Sequence, residues 1–168
     1  VTKALRPGQR KLDRIDRNIL NILQKEGRIS YTDLADRVGL STTPCMERVK
    51  RLERDGLITG YHAQVNPAML GFDMLVFVEI SLSYQSADAF ELFSKAVSEL
   101  PYILECHLVS GDADYLLKAR LQDITQYRGL LGDMLLKLPG VKNSKSYIVM
   151  ESVKESMALP IGPPNSHG

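Results

Sequence analysis

Two cysteines, three histidines and no apolar run long enough to cross a bilayer leave this 168-residue chain few chemistries to choose from. Cys45 falls on the apolar stripe of an expected helix and Cys106 inside an expected strand of another domain. Neither a disulfide framework nor a metal site is indicated, and both read as core thiols. His62, His107 and His167 are scattered. Adjacent residues Cys106 and His107 would point to opposite faces of one strand, so no nucleophile-and-base pair is visible. Asp112 and Asp114 imitate a carboxylate pair, but no companion acid, base or metal ligand is spaced for catalysis. There is no glycine-rich phosphate loop either. An enzyme is therefore not expected, nor a cofactor or metal. No stretch approaches the roughly 18 apolar residues of a membrane span. The first residues lack the apolar core of a signal peptide, so no membrane partner is expected and the cytoplasm is the expected compartment.

The formal net charge is only +1, but its distribution is uneven. Residues 1–60 hold 13 Lys plus Arg against 8 Asp plus Glu, net +5, while residues 61–168 hold 8 against 12, net −4. A basic amino-terminal third on an acidic chain fits one module that meets a polyanion joined to another with a different task. The run GRISYTDLADRVGLSTTPCMERVKRLERDGLITG over residues 27–60 makes that polyanion DNA. Leu34, Ala35 and Val38 fall on one face of a short helix, Gly39 can take the positive φ of a tight stop, and Leu40 re-enters the core. Ser41 is placed to cap a second helix, on which Cys45, Val49 and Leu52 form the buried stripe. At about 100° per residue, Thr43, Glu47, Lys50, Arg51 and Arg54 point away from that stripe, flanked by Thr42 and Arg48. This is the arrangement of a helix-turn-helix with its recognition helix. A charge of this size neutralises few phosphates, so useful affinity requires two or more copies on one duplex.

Around this motif the chain divides into five stretches. Residues 1–11 are basic, contain Pro7-Gly8, and read as a flexible arm. The DNA-binding domain is expected over 12–65, opening on a helix from Asp13 to Glu26 whose apolar side is Leu12, Ile15, Ile19, Ile22 and Leu23. It closes on a small strand or wing over 57–65. Asn66-Pro67 begins a connector over 66–73. From Met74 to residue 155 the order is strand 74–82, helix 87–99, strand 102–110, strand 114–121, helix 124–137, strand 143–152. That is an α+β, ferredoxin-like βαββαβ sandwich. Phe90, Phe93, Val97 and Leu100 from its first helix, with Leu130, Leu131, Met134 and Leu138 from its second, would cover one sheet face. Leu75, Phe77, Tyr147 and Val149 make the other face apolar as well, which calls for a second subunit. The remainder, 156–168, is rich in Pro and Gly and reads as a disordered tail.

The segments LDRIDRNILNILQKEGRIS, GLSTTPCMERVKRLERDGLITGY, LVFVEISL, ECHLVSGDADYLLKAR and YRGLLGDMLLKLPGV, in that order, resemble the Lrp/AsnC family of bacterial and archaeal transcriptional regulators over about residues 6–155. The resemblance implies a winged helix-turn-helix domain, an amino-acid-sensing domain, and dimers that assemble into octamers or related rings. It also implies a bacterial, nucleoid-associated protein. The family places its effector near the turn between the second and third strands at a subunit interface; that turn here is Ser110-Gly111-Asp112-Ala113-Asp114. Asp112 or Asp114 could accept from an amino acid's ammonium, and the glycine turn could offer amides to its carboxylate. By resemblance Leu108, Asp114, Ile124, Tyr147, Ile148 and Val149 occupy positions linked to leucine response, Ile124 and Ile148 by residue type alone. Gln122-Asp123-Ile124 and the segment after Ser156 depart from the family pattern.

The expected function is thus a sequence-specific DNA-binding regulator, activator or repressor, of amino-acid metabolism genes. Leucine or a related amino acid would modulate it by shifting its assembly. Two alternatives stand beside it: a local regulator of one amino-acid catabolic operon answering to another amino acid, and an architectural protein that coats DNA with little sequence preference.

Overall fold

The computed structural model describes residues 12–84 and 86–162, with the backbone alone for 133–136. The arm expected over 1–11, the tail beyond 162 and the Met134 side chain lie outside the described residues. The chain forms two compact units, residues 12–64 with 155–162 and Val65–Lys154.

The first unit begins on Asp13, whose carboxylate accepts from the Asp16 amide at 2.7 Å while the Asp16 carboxylate reaches back to the Asp13 amide, a reciprocal cap that starts α1 (Arg14–Leu23). Ser30 caps α2 (Tyr31–Val38) by accepting from the Asp33 amide. Gly39, at φ +73°, ends that helix, and the Gly39 and Leu40 amides return to the Asp36 and Ala35 carbonyls. The turn delivers the chain to α3 (Thr42–Arg54). Ile19, Leu20, Leu34, Ala35, Val38, Cys45, Val49 and Leu52 form one buried cluster between the three helices. The strand or wing expected over 57–65 is not a strand. The Leu57 and Ile58 amides both donate to the Leu52 carbonyl, curling the chain back over the end of α3, and Ile58 packs on the core. No ladder forms because no extended segment pairs with it among the described residues.

The second unit alternates as its hydrophobic period requires: β1 (Met74–Leu82), α4 (Ala87–Ser98), β2 (Ile103–Leu108), β3 (Tyr115–Leu121), α5 (Ile124–Lys137) and β4 (Val141–Ile148). All pairings are antiparallel, in the order β2-β3-β1-β4 of a ferredoxin-like sandwich. Val76, Val78, Ile80 and Leu82 of β1, with Tyr115, Leu117, Ala119 and Leu121 of β3, face Phe93, Val97, Leu130 and Leu138 of the helices. The last strand ends at Ile148, opposite Val76 and short of the expected 152, with one further bond from the Val149 amide to the Leu75 carbonyl. Met150, beyond the end of β4, is exposed. The opposite sheet face is mixed rather than uniformly apolar. Leu75 is buried and Phe77 half-buried there, but Glu105 and Lys118 pair across it at 3.1 Å and the Tyr147 hydroxyl donates to Glu79.

Phe93 is fully buried and stacks on Tyr115 with ring centroids 4.3 Å apart. Phe93→Ala is expected to destabilise this unit by about 3–5 kcal/mol. Urea unfolding followed by circular dichroism checks it, and a loss below about 1 kcal/mol would mean that the helices do not provide its core.

Candidate functional site

On α3 the helical period separates a buried stripe, Cys45, Val49 and Leu52, from an outer face. Thr42, Thr43, Glu47, Lys50 and Arg54 are exposed on that outer face. Pro44, Glu47, Arg48, Lys50, Arg51 and Arg54 together line an open depression of about 500 Å³. The structure therefore brings the sequence-predicted DNA-binding residues to one surface, with two of them in a different state from that expected. Arg48 and Arg51 are half-buried. Arg48 lies 2.6 Å from Asp13 and 2.8 Å from Asp16, and Arg51 lies 2.5 Å from the same Asp16 oxygen. Asp16 is 4% exposed and is the buried charged residue of the described chain. Sequence reasoning passed over it because an acid in a first turn reads as an ordinary answer to the helix dipole. The available signal was the matched spacing of Asp13 and Asp16 on one helix with Arg48 and Arg51 on another. Burial works against the Asp13 carboxylate, but the Asp16 amide and Arg48 outweigh it and hold it below its usual value of 3.8.

Ser41 occupies the N-cap position of α3 in extended conformation, yet its side chain makes no capping bond. Only the expected capping bond is absent, and Ser41, Thr42 and Thr43 are all exposed at that end of the helix.

In the second unit the eight sequence-predicted effector residues fall into two groups. Leu108 ends β2 opposite Tyr115, and Gly111 and Asp112 are exposed in the turn that follows. The Asp114 carboxylate accepts from the Leu82 amide at 2.7 Å and its own amide donates to the Ile80 carbonyl, so Asp114 joins the turn to the far end of β1. Tyr147 and Ile148 instead pair with Phe77 and Val76, and the Val149 amide donates to the Leu75 carbonyl at the near end. Ile124 follows Leu121, which pairs with Met74 at that same near end. From Ile80 to Val76 is about 13 Å along the strand. Leu108 on β2 and Tyr147 and Ile148 on β4 also stand on opposite edge strands of the sheet. One subunit thus does not gather the eight into one pocket. Leu108 additionally lines a groove of about 560 Å³ between α4 and β2, with Phe90, Val97, Cys106 and Tyr115. Burial pushes the Cys45 and Cys106 thiols above their usual value, as expected of core thiols.

Residues 12–59 match the family model described as winged helix-turn-helix DNA-binding, and residues 75–159 match that of the Lrp/AsnC ligand binding domain. The leucine-responsive regulatory protein of Escherichia coli (strain K12) is 60% identical over 161 residues, 96% of this chain and 98% of that protein. Among solved structures, an AsnC family transcriptional regulator from Agrobacterium tumefaciens superposes with a TM-score of 0.86 at 38% identity, covering 89% of this chain and 97% of that one. A transcriptional regulator from Neisseria meningitidis in complex with L-methionine gives 0.85 at 34% identity, covering 90% and 97%.

Asp16→Ala would leave two half-buried guanidinium groups without their shared anion. It is expected to destabilise the first unit by about 2–4 kcal/mol, less than a fully enclosed pair because both arginines keep some solvent. The depressed Asp13 carboxylate contributes stability that is present above pH 3.8 and lost as the pH falls through its lowered folded-state value. Thermal melts of wild type and Asp13→Asn across the acid range measure this: the gap between them should close below that pH, and a constant gap would refute the linkage.

Proposed function

Because the chain belongs to the Lrp/AsnC family, and is thereby a DNA-binding transcriptional regulator that answers to amino acids rather than an enzyme, we propose that its effector is leucine or a related amino acid acting through a change of oligomeric assembly. Thr42, Thr43, Glu47, Lys50 and Arg54 enter the major groove from α3. Threonine hydroxyls, a carboxylate and an ammonium suit base edges, and the free end of α3 with Ser41 suits a phosphate. Arg48 and Arg51 approach the duplex already oriented by Asp13 and Asp16.

The observation that carries the assembly reading is the separation of the two effector groups across one sheet. An amino acid needs an acceptor for its ammonium, which Asp112 offers, and amides for its carboxylate, which the turn at Gly111 offers. It also needs apolar neighbours, which Leu108 supplies locally and Ile124, Tyr147, Ile148 and Val149 supply only from a second copy. A site completed by two subunits responds to how they are arranged, and by linkage the bound amino acid favours that arrangement. Leu75, Phe77, Leu116 and Tyr147 on the open sheet face suit pairing of one copy with another. Dimers assembling into an octamer or similar ring would then hold several half-sites about one helical turn apart. Among the described residues no helix is long and apolar enough to cross a membrane. The proposed place of action is the cytoplasm, on the bacterial nucleoid. The methionine bound by the Neisseria relative favours a second reading, in which methionine is the effector.

Titration of upstream regions of amino-acid metabolism operons against a random duplex, at fixed salt, decides between these. Leucine is expected to shift specific binding; a shift with methionine alone selects the second reading, and no preference over random DNA sinks the regulator's specificity. Lys50→Ala should weaken specific binding about tenfold, roughly 1.4 kcal/mol, with an unchanged melting temperature. Asp112→Asn should raise the leucine concentration needed while leaving stability intact. Asp114→Ala should cost both, because it also releases the Leu82 amide; stability equal to wild type would contradict that bond.

A further inference from the structure

The Pro- and Gly-rich segment expected to be a disordered tail from residue 156 is instead laid along α1 as far as it is described. Arg17, Asn21 and Gln24 stand at spacings of four and three, one polar line down the helix. The Gln24 side-chain amide donates to the Leu159 carbonyl at 3.2 Å, Asn21 to that of Ile161 at 2.9 Å, and Arg17 to that of Gly162 at 3.1 Å. The order is antiparallel, and the lengths agree. Seven helical residues rise about 10 Å, as do three extended ones. The Gln24 side chain also accepts from the Leu159 amide at 2.6 Å, so it pairs with that residue as a neighbouring strand would. Pro160 brings no amide to satisfy, and the Ile161 and Gly162 amides close onto carbonyls two residues back. Ile161 packs against the helical core.

This segment makes the chain cross from the second unit back to the first at Lys154–Glu155, in addition to the crossing at Gln64–Val65. It begins ten positions after Val149, the last of the proposed effector residues. The helix it grips also carries Asp13 and Asp16, which hold Arg48 and Arg51 of α3. Arg17, one end of the grip, directly follows Asp16 in the chain.

We propose that residues 159–162 form a strap through which the amino-acid-binding unit acts on α1, and that α1 passes the displacement to the arginines of the recognition helix. This rests on the amino-acid response proposed above and adds its route. Leucine binding near Tyr147–Val149 changes the position of the irregular chain, residues 149–158, that leads from β4 into the strap. The strap moves α1, and the two carboxylates move with it.

The test is the double variant Asn21→Ala, Gln24→Ala in the full chain, a half-buried position in α1 and its exposed C-cap, where alanine keeps the helix. Two quantities are read: hydrogen exchange of the Leu159, Ile161 and Gly162 amides, and the ratio of DNA affinities with and without leucine. Faster exchange in the segment together with a leucine ratio reduced at least threefold, at unchanged affinity in the absence of leucine, is the expected result. Unchanged exchange would show that the segment is not docked through these side chains. Faster exchange with the wild-type ratio preserved would make the strap mere packing; either overturns the proposal. A wild-type ratio of one would instead remove the leucine response itself, and the strap's role with it.

Discussion

A carboxylate almost sealed from water, Asp16, is the constraint around which the first unit is arranged. Isolated, such a charge would be costly enough to neutralise or expel itself. Here two guanidinium groups from α3 close on one of its oxygens, while its neighbour Asp13 takes the second bond of Arg48. The same two acids form the cap that starts α1. Helix initiation, helix-to-helix docking and the aim of two cations on the outer helix are therefore one structural fact. Apolar contacts among Ile19, Leu34, Cys45 and Val49 hold the three helices together, but they are non-directional and tolerate rotation. The ion pairs, with fixed donor directions, set the angle about the helix axis.

The second unit solves a different problem by different means. Its core, from Val76 to Leu138, lies between one sheet face and two helices, and needs no charge for definition. Its polar pairs, Glu105 with Lys118 and Tyr147 with Glu79, lie on the open sheet face instead. The effector residues proposed at the turn after Leu108 and at the end of β4 stand at distant corners, and it is this separation that supports a site shared between copies.

What could be read from the sequence was whatever depends on neighbours within a turn or two of chain. The alternation in LVFVEISL, the stop at Gly39 and the outward line of Thr43, Glu47 and Lys50 are local signals, and each element they mark is present. Roles fixed by a distant partner were not legible. Asp16 looks like any acid near a helix start until Arg48 and Arg51 are brought beside it. Ser41 has the residue type and backbone of a cap without making the bond. The wing lacks a strand because no segment pairs with it among the described residues. The attachment of residues 159–162 is not legible because composition counts apolar side chains, whereas that attachment uses backbone groups and one isoleucine.

That last attachment bears on how the chain can change over generations. Arg17, Asn21 and Gln24 grip peptide groups, which every residue possesses, so the segment's side chains are left almost free to vary around Ile161. Drift there would leave the grip intact, so the segment can stay engaged while its side chains change. Selection would be visible on the helix that holds it, not on the segment being held.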